Sequence, residues 1–465
     1  MLRRGLVTVA FAGVLLTIPA PALAHGIGGR EDLPVPLGFF IVGAGFAIVV
    51  SFVMLSTNWR EPRLQDGPLD RPIRSSSWLT WFYRSLRWLG AAGLVLVLAG
   101  GLIDGTSSRN NIAPVLVWVY FWLVVPFAAV LLGDLWHWMS PWRRLTLWAN
   151  RDRPERPELL EEVGYWPATL AFVAFTWLEL VSPDSSLPRT LAIAAIVYTL
   201  YKVAITYWAG PETGTQIGGA FTNYHRLLGA IAPIAAEEAT ERVSVGAATI
   251  TQTRTFTVTR RGWLRALPVL PIRPGLAPFV VAMIGTVTYD GMSSTGWWGD
   301  LFGSTARETW FGTAALVAAV LAVGGAYYAA SYAAARIAGG EQQTSDITAS
   351  FAHTLVPIAF AYAFAHYFTL IIFEGQQLAR MASDPFGLGW DIFGTADWAI
   401  VFSTSTLWIW YVQLAAIVGG HIGGVVLAHD RALAEFGESV AARTQYAMLV
   451  LMVALTSLGL FILAG

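Results

Sequence analysis

The chain contains no cysteine among its 465 residues and only one lysine, Lys202. The absence of cysteine excludes disulfides, thiolate metal ligands and a cysteine nucleophile, so any metal would need His, Asp, Glu, Tyr or backbone oxygen ligands. Charged residues make up 13% of the chain, about half of the ~25% usual in soluble globular domains. The net charge of -1 argues against a nucleic-acid partner. This composition indicates a membrane protein.

Long apolar segments make up most of the chain, in which 55% of the residues are hydrophobic and 21 are tryptophan. A helix needs ~20 predominantly apolar residues to cross ~30 Å of hydrocarbon. We therefore predict an all-α, polytopic integral membrane helix bundle of about ten transmembrane helices, with the lipid bilayer as its surroundings. The predicted spans lie near 38–57, 88–103, 115–137, 165–182, 189–208, 276–292, 311–337, 347–373, 398–428 and 444–464.

The N-terminus has the pattern of a secretory signal peptide. Arg3 and Arg4 form the basic region, residues 5–18 form the apolar region, and Ala22-Leu23-Ala24 has the small-residue pattern of a cleavage site. The sequence thus predicts a signal peptide over 1–24 and a mature membrane domain over 25–465. An uncleaved signal anchor is the alternative.

Arginines are concentrated in every second loop between the predicted spans. The rich loops carry Arg60, Arg63, Arg71, Arg74, Arg84 and Arg87, then Arg143, Arg144, Arg151, Arg153 and Arg156, and finally Arg226, Arg242, Arg254, Arg260, Arg261, Arg265 and Arg273. The alternate loops carry only Arg109, Arg189, Arg307 and Arg380. Since positively charged loops remain in the cytoplasm, we predict a multi-pass protein of the cell membrane whose mature N-terminus is outside.

The largest predicted cytoplasmic insertion covers about 236–275. Within it, TITQTRTFTVTR alternates threonine with other residues and is rich in β-branched side chains, which predicts a strand or hairpin. The preceding segment, 220–235, is short for a span and holds Asn223, His225 and Arg226. We therefore expect that segment to be interfacial or re-entrant.

Four of the seven histidines lie between Asp346 and Arg431, and ionisable groups inside membrane helices generally mark functional sites. His353 and His421 are at matching depths on the eighth and ninth predicted spans, which a short loop joins. Asp134 and His137 share one helix face at the same end of the bundle. The predicted metal ligands are His353, His421, His429, Asp134 and His137.

Imidazole and carboxylate ligands suit a divalent transition metal such as zinc, copper, iron or manganese. Two haems are excluded, because the histidine separation is thirteen residues on span eight and eight on span nine. A single haem between His353 and His421 stays open, as does a copper chelate at His25, the predicted first mature residue. Each histidine could equally be a separately hydrogen-bonded polar residue.

The carboxylate of Asp290 lies at the outer end of the sixth predicted span. The sequence suggests three roles for it: an ion pair with Arg307, a cation shared with Glu374, or a turn at the end of the helix. His366, Glu374 and Asp290 on the outer side also make a polar path across the membrane conceivable. These residues leave three functions open, namely a metal-dependent hydrolase, a metal-ion or proton transporter, and a haem-binding redox subunit.

Four segments together resemble the fenitrothion hydrolase-like family of bacterial, mostly actinobacterial, multi-spanning membrane proteins. They are HGIGGREDLPVP at 25–36, TYDG at 288–291, HTLVPIAFAYAFAHY at 353–367 and GHIGGVVLAHDRA at 420–432. The resemblance covers essentially the predicted mature chain. It implies hydrolysis of the P–O aryl bond of a hydrophobic organophosphorus ester, and it implies no particular catalytic residue.

The predicted topology can be tested by labelling single cysteines, because the chain has none of its own. An impermeant maleimide should modify Arg153→Cys only after the cells are permeabilised, since position 153 is predicted to be cytoplasmic. Arg307→Cys, on a predicted outer loop, should be modified in intact cells. Labelling of position 153 from the outside of intact cells would overturn the topology.

Overall fold

The computed structural model describes residues 36–73, 77–245, 249–340, 343–400 and 406–464. The predicted signal peptide and His25 lie outside these residues. In chain order the helices are α1 (Leu37–Asn58), α2 (Ser77–Ile103), α3 (Ile112–Leu132), α4 (Leu135–Met139), α5 (Pro141–Ala149), α6 (Leu159–Glu162), α7 (Trp166–Leu180), α8 (Pro188–Ala209), α9 (Pro211–Gly218), α10 (Ala220–Gly229), α11 (Leu276–Ser293), α12 (Gly296–Phe302), α13 (Thr309–Ile337), α14 (Thr344–Glu374), α15 (Gln377–Ser383), α16 (Thr406–Phe436) and α17 (Glu438–Ala464).

Nine of the helices in the described ranges are long and apolar enough to cross a membrane. They are α1, α2, α3, α8, α11, α13, α14, α16 and α17. The shorter apolar helix α7 brings the number to ten if it also spans. The prediction of an all-α bundle of about ten spans is thus confirmed. Helix α10, the segment expected to be interfacial or re-entrant, is not among the candidate spans.

A small antiparallel sheet lies at one end of the bundle. Strand β1 (Arg71–Ile73) and strand β2 (Ile234–Val245) both pair with β3 (Thr249–Arg260), the strand that the threonine alternation predicts. The Phe256 ring of β3 contacts Tyr83 of α2 and Trp138 of α4 at centroid distances of 5.7 and 5.6 Å. We call this end the hairpin end and the opposite end of the bundle the far end.

Helix α11 is the centre of the bundle. Of its residues 78% are buried, whereas the other eight candidate spans are between 17% and 56% buried. It packs against α7, α13 and α14. The approach to α13 is close because Gly285 has no side chain, and a Cβ added there would lie 2.6 Å from Val320 Cα. Most positions on α11 are therefore surrounded by protein and shielded from lipid.

Two prolines interrupt the regular helices. Pro357 cannot donate a backbone hydrogen bond to the carbonyl of His353, four residues earlier. The N–H of Val356 donates to that carbonyl instead, and residues Ala352–Leu355 form a 3-10 turn inside α14. Pro126 of α3 follows a ten-residue π-helical stretch, Val115–Val124, in which the hydrogen bonds also skip the usual partner. Such irregular turns expose carbonyls and redirect side chains, and they are frequent near functional sites.

Helices α14 and α16 pack against each other, as their predicted short connection requires, and glycines set the distance between them. A Cβ added at Gly420 would lie 2.3 Å from Ala361 Cβ and 2.6 Å from the Pro357 carbonyl oxygen. The neighbouring Gly419 is exposed on the surface of the bundle and has no such neighbour within 4 Å among the described residues. Close helix approach at small residues is a common packing mode in membranes.

We expect Gly420→Ala to destabilise the bundle, because the added methyl group must force α14 and α16 apart. Overpacking of this kind typically costs about 1–3 kcal/mol, which thermal unfolding of the detergent-purified protein would detect. Gly419→Ala is the matched control and should unfold like the wild type. Equal unfolding temperatures for Gly420→Ala and the wild type would show that α14 and α16 are not in tight contact.

Candidate functional site

His429 is fully occupied by protein partners. Its Nε2 donates to the Trp59 carbonyl oxygen at 2.9 Å, and its Nδ1 accepts from the Gln445 amide at 3.1 Å. Only the neutral tautomer with the proton on Nε2 satisfies both contacts. A metal ion could bind His429 only if one of these hydrogen bonds were broken.

The next residue, Asp430, anchors the loop that follows α1. Its carboxylate accepts hydrogen bonds from the backbone N–H groups of Arg63 at 2.5 Å and Leu64 at 3.2 Å. The Trp59 indole and the Gln65 side-chain amide donate to the same carboxylate. His429 and Asp430 therefore form a structural tie between α16 and this loop.

Asp134 and His137 also have a local structural role. Asp134 accepts a hydrogen bond from the His137 backbone N–H at 3.0 Å and so caps the N-terminus of α4. Burial raises the pKa of Asp134 to about 6, although the His137 N–H and the charge of Arg226 oppose this shift. The His137 side chain is exposed.

His353 and His421 are both buried, and the Nε2 atom of each ring lacks a hydrogen-bond partner among the described residues. The Nδ1 of His421 donates to the Ile417 carbonyl at 2.8 Å, and its ring lies 6.3 Å from the Tyr362 ring. Within the described ranges, no three His, Asp or Glu residues are arranged to hold a metal ion. The structure therefore does not bring the five predicted ligands together.

A carboxylate with two side-chain partners on another helix lies at the far end of α11. His366 Nε2 is 2.9 Å from Asp290 Oδ2, and the Tyr367 hydroxyl donates to the same oxygen at 2.6 Å. Asp290 therefore pairs with residues of α14, a partnership that was not among the three roles suggested by the sequence. The next residue, Gly291, sets the approach of α11 to α17 instead, since a Cβ there would lie 2.2 Å from the Ile462 side chain, whereas His366 Cε1 at 3.6 Å is at an ordinary contact distance.

A second carboxyl group, that of Glu179 on α7, lies beside this pair. Its Oε2 atom is buried and makes no short hydrogen bond among the described residues, and the Trp122 indole is the donor beside it. Asp290, Tyr224 and Tyr367 lie close enough to Glu179 to interact with it electrostatically. We call Glu179, Asp290, His366 and Tyr367 the carboxylate cluster. It contains two acids and two groups that can exchange protons with them.

Helix α10 carries polar side chains from this cluster toward the hairpin end. The Tyr224 ring stacks on Trp122 of α3 with centroids 5.0 Å apart. The next residue, His225, donates from Nδ1 to the Phe221 carbonyl at 2.8 Å, and its buried Nε2 has no partner in the described part of the chain. Arg226 follows, hydrogen-bonded to the Tyr165 hydroxyl and interacting electrostatically with Asp134. Polar groups thus continue from the cluster to the cap of α4.

A small cavity adjoins the cluster on its other side. It has a volume of about 20 Å³, and its lining includes His366, Tyr362, Ile417 and Ile462. A volume above ~10–15 Å³ can hold one water molecule if polar partners are present. His366 therefore has room for a water molecule beside it as well as a carboxylate partner.

The sequence pattern pointed to Asp290 and His366 but did not pair them, and it gave no sign of Glu179. A usable signal was present, because Asp290 and His366 both lie near the far ends of antiparallel spans. Their matching depths would have suggested this pair, just as matching depths suggested the pairing of His353 with His421. The position of Glu179 depends on α7, which is too short for its depth to be read from hydropathy.

The fold and this partly buried polar cluster define the class of the chain as a multi-pass helical membrane protein. Comparisons of the chain with protein-family models, curated proteins and solved structures give no match.

We expect Asp430→Ala to destabilise the protein, because the buried N–H of Leu64 and its neighbours would lose their acceptor. Unsatisfied buried donors typically cost about 1–3 kcal/mol, measurable as a lower unfolding temperature in detergent. Asp66→Ala removes an exposed carboxylate from the same loop and should leave stability unchanged. If Asp430→Ala bound less metal but unfolded like the wild type, the structural role of Asp430 would be refuted.

Proposed function

We propose that this chain is a proton-coupled transport protein of the cell membrane and that the carboxylate cluster is its proton-binding site. The observation that carries the proposal is the contact of Asp290 with both His366 and Tyr367 inside the most buried span. Carboxylates within membrane helices are costly and are typical of proton and ion pathways. The cell-membrane location rests on the signal-peptide pattern and the arginine distribution.

The chemistry of proton binding follows from the contacts. His366 can hold the proton on Nε2 as a hydrogen-bond donor to Asp290, or can transfer it across the 2.9 Å contact. Glu179 and Asp290 are close enough to interact electrostatically, so a proton gained or lost by one acid changes the field at the other. Loss or gain of that proton changes the charge between α7, α11 and α14. A change of charge at a helix contact can bias one packing arrangement over another.

The polar line along α10 supports a path to the hairpin end. Tyr224, His225 and Arg226 occupy consecutive positions between the cluster and Asp134. The Nε2 atom of His225, which has no hydrogen-bond partner among the described residues, can accept a proton or a hydrogen bond from water. On the far side, the cavity beside His366 has room for water. A proton could therefore reach the cluster from one side and leave it toward the other.

Metal-assisted hydrolysis of a hydrophobic organophosphorus ester is the second candidate function. It is supported by the family resemblance and by the Nε2 atoms of His353 and His421, which have no partner among the described residues. Two imidazoles without a carboxylate are fewer ligands than the three that catalytic zinc sites usually have. Elemental analysis of protein purified without chelators or a polyhistidine tag distinguishes the candidates. About one transition metal per chain, lost in His421→Ala, would favour hydrolysis.

The proton-binding role predicts a current that depends on Asp290. When proteoliposomes adsorbed on an electrode receive a pH step, binding of protons inside the protein displaces charge even without substrate. Asp290→Asn keeps the shape of the side chain but removes the titratable acid, so it should reduce this transient current at least tenfold. Asp300→Asn, at an exposed position of the same end, should behave like the wild type.

The decisive comparison is between these two variants at equal protein content. Tyr367→Phe should retain a current with an altered pH dependence, because it removes one donor to Asp290 but not the acid itself. A wild-type current in Asp290→Asn would refute the proposal. Loss of current in Asp300→Asn as well would also count against it, because the effect would not be specific to the cluster.

A further inference from the structure

A large polar cavity opens at the far end, one turn beyond Asp290 on the same helix. Its volume is about 570 Å³, within the ~300–1,000 Å³ range of small-molecule sites. Its lining residues are Ser293, Thr295, Trp298, Gly299, Gly303, Ser304, Ala306 and Arg307. The cavity is separate from the water-sized one beside His366.

The only charged group among these lining residues is the Arg307 guanidinium. In the described part of the chain, this side chain has no carboxylate partner within 4.0 Å and no hydrogen bond. The carboxylates of Asp300 and Glu308 are near in sequence, but neither lines the cavity. An unpaired guanidinium with five N–H donors is suited to bind a carboxylate, sulfonate or phosphonate group in bidentate geometry.

The rest of the lining divides into hydroxyls and an apolar wall. Ser293 and Thr295 donate their hydroxyl protons to the backbone carbonyls of Asp290 and Met292 at 2.9 and 2.6 Å. The wall includes the Trp298 indole, which packs edge-on against Phe302 at 4.7 Å. A Cβ added at Gly299 would meet no described atom within 4 Å, so the space beside the indole is open to a ligand ring.

We propose that this cavity binds a small organic anion with an aromatic or apolar body, its acidic group on Arg307 and its body against Trp298. The anion is the substrate that moves with the proton. This part rests on the proposed function, because it takes the carboxylate cluster to be the proton site. The hydrogen bond from the Ser293 hydroxyl to the Asp290 carbonyl supports coupled movement of anion and proton, because Ser293 also lines the cavity. Binding itself depends only on the cavity.

The probe is radiolabelled benzenesulfonate, an anion at every working pH that cannot cross a bilayer as a neutral acid. Equilibrium dialysis of the full chain in an uncharged detergent should detect binding that neutral benzenesulfonamide and cationic benzyltrimethylammonium do not compete away. Arg307→Gln should weaken binding at least tenfold, because charge-assisted hydrogen bonds to the anion are lost. Gly299→Phe should block binding by filling the open space.

Arg109→Gln is the matched control, since Arg109 is also an exposed arginine at the far end but does not line the cavity. It should bind benzenesulfonate like the wild type. The inference is overturned if the wild type binds no benzenesulfonate, if benzyltrimethylammonium competes equally well, or if Arg307→Gln and Gly299→Phe both bind normally.

The two proposals fail in different ways. If Asp290→Asn binds benzenesulfonate but the wild type gives no pH-step current, the anion site stands and the proton function fails. If the current depends on Asp290 but benzenesulfonate is not bound, the proton function stands and the anion site fails. With both intact, an inward proton gradient should drive labelled benzenesulfonate into proteoliposomes, and Arg307→Gln should lower the initial rate at least tenfold.

Discussion

A carboxylate can remain inside a membrane helix only if the protein supplies what water would have supplied, and this requirement organises the centre of the bundle. Asp290 has its donors on two consecutive residues of α14, His366 and Tyr367. That arrangement needs α11 and α14 to be close, and it needs Gly291 to leave room for α17. It also explains why α11 is the most buried of the candidate spans. Placing the same acid on a lipid-facing helix would cost several kcal/mol.

The same requirement applies to the backbone, and the prolines of α3 and α14 show how it is met. Each proline removes one N–H donor from a region with no water. In α14 the His353 carbonyl accepts from the N–H three residues later, so the helix narrows to a 3-10 turn. In α3 the turns before the proline widen into a π-helix. His353 lies in one of these stretches, and Trp122, which stacks on Tyr224, lies in the other. The departures from ideal helix geometry are therefore local solutions to the loss of a backbone donor.

The bundle could be predicted from the sequence because it depends on local properties. Twenty apolar residues suffice to identify a span, and alternating threonines suffice to identify β3. The ninth predicted span, 398–428, ends too early, because the residues that bond to the last turns of this helix are distant in sequence. Helix α16 continues to Phe436 through His429 and Asp430, which bond to Trp59 and Arg63 more than 360 positions earlier in the chain. The partner of Asp290 was missed for the same reason, being 76 residues away.

The tie between α16 and the loop after α1 has a consequence for how the protein is made. Helix α1 packs against α16 and α17, and Gly45 lies against Val453 near the other end of the chain. The first of the described helices to leave the ribosome therefore gains these neighbours only when the last two have been synthesised. Until then, α1 lacks these two neighbours, and the Trp59–Gln65 loop lacks the Asp430 acceptor. The packing of α1 in the bundle is thus completed only after α16 and α17 have been made.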